Sequence, residues 1–421
     1  MKMKRHRFYA CLLMAMTLAG FTACSSTDND GVTDGQTVNG KSQLTLTINT
    51  MGTRAAMTSD PTDEKTINRV TVGIFDASGN VRTIQEFKSG DGTVGSNTFK
   101  TDNGSTKMNI VTNKLEEGDQ VLVAVNAPSG KFQGAQTVSD FQSKSVDAGR
   151  ALATNASNEE KAQADPVANN APMFGSAKLA EPAKDATAYT ATVNVSHLTA
   201  KISLEDIEVA FDPNGSYQNA TFSPTEIYIE HVVDGLNFNP EAGSWFDPSK
   251  STLLTGAIGV TGAKTYLTTG EIKDVKLYGA EKASTAKMTN HNYYFYVTPS
   301  SYDTPSGIGA NAVRIWIKGL FDPDGDGTTP ATTVFYPVLL NVTYDPDGKA
   351  SAAEKGTDVY KVYPNKNYTC NVVIKTKGLP GSGTDGQGQP TAGNDELKPQ
   401  QATITVTVNN WTPVSSTTTF E

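Results

Sequence analysis

The acidic segment FDPDGDG contains the residues of this sequence that come nearest to a metal site. Asp322, Asp324 and Asp326 have the spacing of the first ligands of a calcium-binding loop, and Gly327 stands where such a loop turns sharply. The twelfth loop position, which should carry a bidentate Glu, is Thr333. We therefore interpret the segment as the tip of a hairpin and predict no metal site, while the three carboxylates leave open whether an ion binds there weakly.

The segment GQTVNGKS matches the phosphate-loop formula G-x-x-x-x-G-K-[ST]. That loop requires a preceding strand and a following helix, because the N-terminus of the helix binds the phosphate. Here a polar stretch precedes the motif and the alternating strand LTLTI follows it. The sequence therefore predicts no nucleotide site, and no cofactor is expected.

The histidines and tryptophans offer little for catalysis. Beyond the N-terminal leader the histidines are His197, His231 and His291, each in a separate strand-like stretch. No G-x-S-x-G or H-E-x-x-H motif accompanies them, so the sequence predicts no enzyme. Three tryptophans could form a platform for glycans, although packing in a β-sandwich is their more common role: Trp245, Trp316 and Trp411.

Composition indicates the fold class and argues against nucleic acid as a partner. With 37 Gly and 20 Pro in 421 residues and many β-branched side chains, the chain is typical of short strands joined by turns. The formal net charge of −9 disfavours nucleic acid, since phosphate backbones are bound by basic surfaces. The length suits two domains with real cores.

The N-terminus predicts export as a lipoprotein. Residues 1–23 begin with basic residues and no acid, followed by an apolar run too short to span a bilayer, as in a signal peptide. The segment Phe21-Thr22-Ala23-Cys24 resembles a lipobox, so Cys24 would become the acylated first residue. Because Cys11 leaves with the leader, Cys370 is the remaining thiol of the folded part, and an internal disulfide is excluded.

Alternation of apolar and polar residues predicts an all-β fold of two antiparallel β-sandwiches in tandem. Residues 24–54 form a tether and a first strand, residues 55–188 and 189–378 form the two sandwiches, and residues 379–421 form a flexible linker and a last strand. One helical insertion is expected, from about Val138 to Asp165, where Ala, Lys, Glu and Ser accumulate without Pro.

The first and last strands have matching apolar faces. Along the sequence, polar segments separate each of them from the two sandwiches. The matching residues are Leu44, Leu46 and Ile48 in the first strand and Ile404, Val406 and Val408 in the last. If the first strand were removed, a groove with unpaired backbone groups would open, and the last strand of another copy could fill it. Repetition of this head-to-tail contact would build an open filament.

The order of motifs along the chain resembles that of the fimbrillins, the subunits of the type V pili of Gram-negative anaerobes. The motifs are the lipobox, GTRAA, VLVAVNAP, PMFG, VSHLTAKI and the terminal TVTVNNWTPV. His197 in VSHLTAKI stands where the family often has Arg. The resemblance implies two transthyretin-like domains, export to the outer membrane as a palmitoylated lipoprotein, and a final place in cell-surface fimbriae (pili) with a role in cell adhesion.

The resemblance also implies a route of polymerisation. A trypsin-like Arg-specific protease would cut between Arg54 and Ala55 and so remove the first strand. Donor-strand exchange with other copies or related fimbrial subunits would follow, with the donor residues Ile404, Val406, Val408, Trp411 and Val414. The extended C-terminus favours a shaft or accessory subunit over an anchor, and a host or bacterial surface ligand is a possible partner.

A monomeric, lipid-anchored lipoprotein that binds surface glycans would explain the same leader and the same sandwiches. It would stay uncut, so its mature N-terminus would be acylated Cys24, whereas a polymerising subunit would begin at Ala55. A secreted hydrolase is the weaker rival, because the chain has only 4 His and no local pair of nucleophile and base. Sequencing of the mature N-terminus separates the first two hypotheses.

Overall fold

A computed structural model describes residues 37–38, 41–50, 66–102, 105–146, 171–182, 188–233, 235–239, 253–256, 268–271, 276–278, 287–300, 312–345, 349–381 and 402–410. Strands make up 56% of it and helix 2%, which confirms the prediction of an all-β protein. Within these ranges no helix has the length and the apolar character needed to cross a membrane.

The described residues up to His197 form ten strands and one short helix. They are β1 (Thr37–Val38), β2 (Lys41–Thr50), β3 (Arg69–Phe75), β4 (Val81–Ser89), β5 (Thr98–Asp102), β6 (Ser105–Thr112), β7 (Gln120–Val125), α1 (Val138–Gln142), β8 (Ser145–Val146), β9 (Met173–Lys178) and β10 (Tyr189–His197).

Nine of these strands form one sheet that closes on itself. Their order is β1-β2-β10-β9-β7-β3-β4-β5-β6, and β2 pairs with β6 as well as with β10. Among the described strands, the eight from β2 to β6 in this order therefore make a ring, with β1 outside it. Each of the eight contributes buried side chains to one shared core. Closure leaves no unpaired edge in the ring, which is how β-sheets avoid adding further strands.

The first strand is an integral part of this ring, paired with β6 and with β10. Leu44, Leu46 and Ile48 are each 0% exposed and belong to the shared core. The polar segments that flank β2 separate it along the sequence only. Its alternating apolar face is what the core requires between β6 and β10.

The helix begins where it is predicted but is much shorter. Thr137 caps its N-terminus in a capping box with Asp140, and it ends at Gln142 rather than near Asp165. The chain then turns into β8, where Val146 packs in a cluster with Phe141 and Phe238. This tertiary contact overrides the helix propensity of the segment. Residues 147–165 of the prediction lie outside the described ranges.

The described residues from Ala200 onward form fourteen strands. They are β11 (Ala200–Val209), β12 (Thr221–Val233), β13 (Leu236–Asn237), β14 (Leu253–Gly256), β15 (Thr268–Glu271), β16 (Leu277–Tyr278), β17 (Lys287–Val297), β18 (Arg314–Asp322), β19 (Thr332–Leu339), β20 (Thr343–Tyr344), β21 (Ala350–Ser351), β22 (Lys366–Ile374), β23 (Leu379–Pro380) and β24 (Ala402–Asn410).

Two sheets in this half share one core. The first has the order β17-β11-β22-β24, and the second has the order β14-β12-β18-β19-β23, with β15 and β16 also paired to β12. Ile202 and Tyr368 from the first sheet pack in the same cluster as Ile229, Ile317 and Tyr336 from the second. Alternating apolar residues on the strands of both sheets produce this packing.

The junction between the halves lies between β10 and β11, which follow each other along the chain almost without a break. The sequence predicts that residue 189 opens the second sandwich, but β10 pairs with β2 and β9 in the ring. Only Leu198 and Thr199 separate it from β11, which pairs with β17 and β22. Strand pairing therefore assigns residues 189–197 to the first half.

Candidate functional site

The slot that β2 occupies is the feature of the fold that can carry a function. β2 is antiparallel to β6 from Ser42↔Thr112 to Asn49↔Ser105. It is parallel to β10 from Leu44↔Tyr189 to Thr50↔Val195. Loss of this strand would leave two sheet edges with unpaired N–H and C=O groups, and such edges are templates for pairing with another chain.

The inner face of the slot is apolar. Leu44, Leu46 and Ile48 are fully buried, and each contributes about 1.5–3 kcal/mol through the apolar surface it removes from water. An empty slot would expose the core of the ring to water at the three places that these side chains fill. Any replacement strand must therefore supply apolar residues at alternate positions.

The outer face of the slot is polar and hydrogen-bonded, a feature that the sequence analysis missed. Thr45 Oγ1 donates to Asn109 Oδ1 on β6 at 3.2 Å. Asn49 Nδ2 donates to Asn194 Oδ1 on β10 at 3.4 Å, and Asn49 Oδ1 accepts from Ser105 Oγ on β6 at 3.1 Å. Asn49 thus bridges the two strands that flank the slot. The sequence shows that β2 and the last strand share these polar residues, but it does not show which residues of β6 and β10 they contact.

The last strand is also paired within the chain. It is antiparallel to β22 from Lys366↔Asn410 to Ile374↔Ala402. Among the described strands it lies at the end of its sheet and pairs on one side. This is the arrangement of a strand held by one ladder of backbone hydrogen bonds, whereas β2 is held by two.

Cys370 lies on β22 opposite Val406 of β24. Its side chain is 0% exposed within the core of the second half, as the alternation of β22 predicts. Burial raises the pKa of this thiol to about 12, because a thiolate would lose its hydration there. Cys370 is therefore an inert core residue while the protein is folded.

The predicted processing residues lie outside the described ranges: Cys24, Arg54, Ala55, Trp411 and Val414. The next arginine after Arg54 is Arg69, which begins β3. Its Nη1 donates to the carbonyl oxygen of Ala127 at 3.0 Å, and its Nε lies 3.5 Å from Glu86 Oε1. A protease would have to unfold β3 to cut there, so the fold protects Arg69.

The acidic loop after β18 is closed by its own hydrogen bonds. Asp324 Oδ2 accepts from Thr328 Oγ1 and from the Thr329 N–H, each at 2.9 Å. The hydrogen bonds from Thr329 and Thr328 hold the pKa of Asp324 well below its usual range. Asp322 Oδ1 accepts from the Gly325 N–H at 3.0 Å. In the described residues no group of three or more His, Cys, Asp or Glu side chains is placed to hold a metal ion.

Trp316 is packed rather than presented to solvent. It is 2% exposed, and its Nε1 donates to Glu230 Oε2 at 2.7 Å. Arg314 Nε lies 2.8 Å from the same oxygen, and His231 Nε2 lies 3.5 Å from Glu230 Oε1. Burial lowers the pKa of His231. Trp245 and Trp411 lie outside the described residues. The one described tryptophan of the possible glycan platform, Trp316, is therefore buried.

The histidines of the described strands stand in different sheets. His197 is at the end of β10 in the ring and is buried, whereas His231 is on β12 in the second half. His291 is on β17, at a position whose side chain lies outside the description. The fold therefore places His197 and His231 in different sheets.

Comparison with known proteins gives one family and several similar structures. Residues 42–206 match the family model of the major fimbrial subunit protein (FimA). These residues include nearly all of β2 and the whole of the other seven strands of the ring. No curated protein sequence matches the chain.

Solved structures match over most of the chain. A candidate cell adhesion protein from Bacteroides eggerthii has 17% identity and a TM-score of 0.54, with 91% of this chain and 98% of that protein covered. A fimbrilin (FimA) from Porphyromonas gingivalis has 18% identity and a TM-score of 0.53, with 89% and 99% covered. A candidate cell adhesion protein from Parabacteroides distasonis has 14% identity and a TM-score of 0.56, with 89% and 99% covered. At these identities the likeness establishes a common fold.

Proposed function

We propose that the chain is a fimbrillin, a structural subunit of a surface fimbria with a role in cell adhesion, because residues 42–206 match the family model of the major fimbrial subunit protein. The observation that carries the proposal is the β2 slot, which lies within the matched residues and is bounded by two paired edges. A subunit of a polymer needs such an acceptor site together with a segment that can occupy it in a neighbour.

Assembly begins with removal of β2. An Arg-specific, trypsin-like protease cuts between Arg54 and Ala55, just after the strand, and the freed segment leaves the ring. Protection of Arg69 at the start of β3 supports a cut upstream of that residue. The last strand of another copy, or of a related subunit, then fills the slot with Ile404, Val406 and Val408 where Leu44, Leu46 and Ile48 were.

The exchange is favoured because the last strand would be held by two ladders of backbone hydrogen bonds in the slot, instead of one in its own chain. In its own chain β24 pairs with β22 alone among the described strands. In the slot it would pair with both β6 and β10, each backbone hydrogen bond adding about 0.5–1.5 kcal/mol net. In the slot its three apolar side chains would occupy the core positions that Leu44, Leu46 and Ile48 leave, where each buried side chain contributes about 1.5–3 kcal/mol.

Export and domain organisation complete the proposal. Cys24 carries the lipid that brings the precursor to the outer membrane, and cleavage then releases the subunit into the fimbria. The chain folds as two transthyretin-like β-sandwiches in tandem, followed by the linker and donor segment of residues 379–421. Because β10 pairs within the ring, we place the boundary between the sandwiches at residues 198–199 rather than 189.

The test is replacement of Arg54 by Ala in cells that express the full chain. We expect export to continue and the precursor to accumulate without forming filaments, because β2 stays in its slot. Lys65→Ala, at the nearest downstream basic residue, is the matched control and should leave filaments unchanged. Negative-stain microscopy and N-terminal sequencing report the outcome.

Filaments of normal length from Arg54→Ala cells would contradict the proposed maturation. A mature wild-type protein that begins at acylated Cys24 would contradict polymerisation and would support the lipid-anchored glycan-binding protein instead. A wild-type N-terminus at Ala55, together with filaments, supports the fimbrial subunit.

A further inference from the structure

We infer that the polar outer face of the donor strand sets its register in the slot, and that Asn409 takes the place that Asn49 has in β2. The inference rests on the proposed function, because it assumes that the last strand of a neighbouring copy fills the slot. Asn409 would thus position the donor strand in the slot, which the alternating apolar residues alone do not do.

The two strands agree at every second position on the outer face. β2 carries LTLTIN at residues 44–49, and the last strand carries ITVTVN at residues 404–409. The identical pairs are Thr45 and Thr405, Thr47 and Thr407, and Asn49 and Asn409. Filling the core requires only the apolar positions between them. The agreement of the polar positions therefore points to a second requirement, on the outer face.

The contacts of Asn49 show what that requirement is. Its amide donates to Asn194 on β10 and accepts from Ser105 on β6, so one side chain ties both edges of the slot. An Asn side chain offers a donor and an acceptor together, whereas an Asp carboxylate only accepts. Asn409 can restore this bridge only when it stands between the same two strands.

Slipped registers fail on both faces. A slip of one residue turns the apolar residues outward. A slip of two residues in one direction places Asn410 where Ile48 is fully buried, and an amide there would lack water. In the other direction Ala402 would stand in place of Leu44 and leave a void. Both slips also move Asn409 away from Asn194 and Ser105. The inner and outer faces thus select one register.

Engineered disulfides can measure this register directly. Lys107 is exposed and lies opposite Thr47, so in the inferred register it lies opposite Thr407 of the neighbour. Paired Cα atoms on antiparallel strands are about 4.5–5.5 Å apart, which a disulfide spans. In the unassembled chain Thr407 is paired with Thr369, so a link from residue 107 to residue 407 reports an exchanged strand.

The experiment compares two double variants of the full chain after cleavage with an Arg-specific protease. Lys107→Cys with Thr407→Cys should give a ladder of linked subunits on mild oxidation. Lys107→Cys with Thr405→Cys, the matched control for a two-residue slip, should stay unlinked. Adding Asn409→Ala to the first pair should lower the yield of links roughly fivefold, the effect of about one net hydrogen bond, while Thr403→Ala should leave it unchanged.

The outcomes separate the inference from the proposed function. Filaments that link through residue 405 would overturn the register and leave polymerisation standing. Equal yields with Asn409→Ala and Thr403→Ala would overturn the role of Asn409. A cut wild-type chain that forms no filaments would instead contradict the proposed function itself.

Discussion

At the scale of single residues, the buried position of Leu46 predicts what the donor strand tolerates. If Val406 of a neighbour takes the place of Leu46, which is 0% exposed, Val406→Asp would bury a charge without a partner. We expect this variant to fold and to be cut but to form no filaments. Thr405→Asp, one residue away on the polar outer face, is the matched control and should impair assembly much less than Val406→Asp does. The measurement is filament yield by microscopy, and equal yields from the two variants would refute the assignment of faces.

The acidic loop makes a second prediction at this scale. Because Asp322 and Asp324 accept hydrogen bonds from the backbone and hydroxyl groups of their own loop, the loop needs no ion to stay closed. We expect EDTA to leave the melting temperature of the purified chain unchanged. Calcium added after EDTA serves as the control. A fall of several degrees that calcium reverses would show that a structural ion is present.

Cys370 predicts a loss of stability at alkaline pH. Its pKa is about 12 in the folded chain and about 8.5 in an unfolded chain, so the unfolded state loses the proton first. The stability that comes from keeping the Cys370 thiol protonated is fully present below about pH 8.5. As pH rises from about 8.5 towards 12, the free energy of unfolding falls by about 1.4 kcal/mol for each pH unit, because the thiol ionises in the unfolded chain only. Cys370→Ala removes this term while the buried tyrosines remain. Denaturant titrations at pH 8 and pH 10.5 should show a smaller drop in the variant; equal drops would mean that the thiol is hydrated in solution.

At the scale of elements, β24 predicts the behaviour of a truncated subunit. The described core of the second half is built from β11, β12, β18, β19, β22 and neighbouring segments, and β24 pairs at the edge of the sheet. Deletion of residues 403–421 should therefore leave a cooperative thermal transition at a somewhat lower temperature, and it should abolish filaments. Circular dichroism melts of the truncated monomer provide the measurement. Loss of the transition would mean that β24 is required for its own domain rather than for a neighbour.

The sequence predicts individual strands well and their partners poorly. Leu44, Leu46 and Ile48 identify β2 because alternation is a local property of the chain. The partners of β2 lie far away in sequence, on β6 and β10, and alternation contains no information about pairing. For the same reason the bridge from Asn49 to Asn194 and Ser105 was not predictable: it depends on register, which only the assembled sheet defines. The helix prediction failed where Val146 found a tertiary partner in Phe238, a contact that local composition does not encode.

At the scale of the whole molecule, the proposed acceptor slot and the proposed donor strand lie in different halves of the chain. The ring in the first half contains the slot, and the sheet in the second half holds the strand that would leave it. In a filament each subunit would thus accept at one half and donate from the other. Such a heterologous contact does not close on itself, which gives a filament with two different ends.

Closure of the ring also has a consequence for the timing of growth. While β2 is in place, the described ring strands offer no free edge, so under the proposed mechanism an uncut chain cannot accept the last strand of another copy. The rate of elongation then follows the rate of proteolysis. A cell could hold a large reserve of secreted subunits without premature aggregation and would set the length of its fimbriae through the supply of one protease.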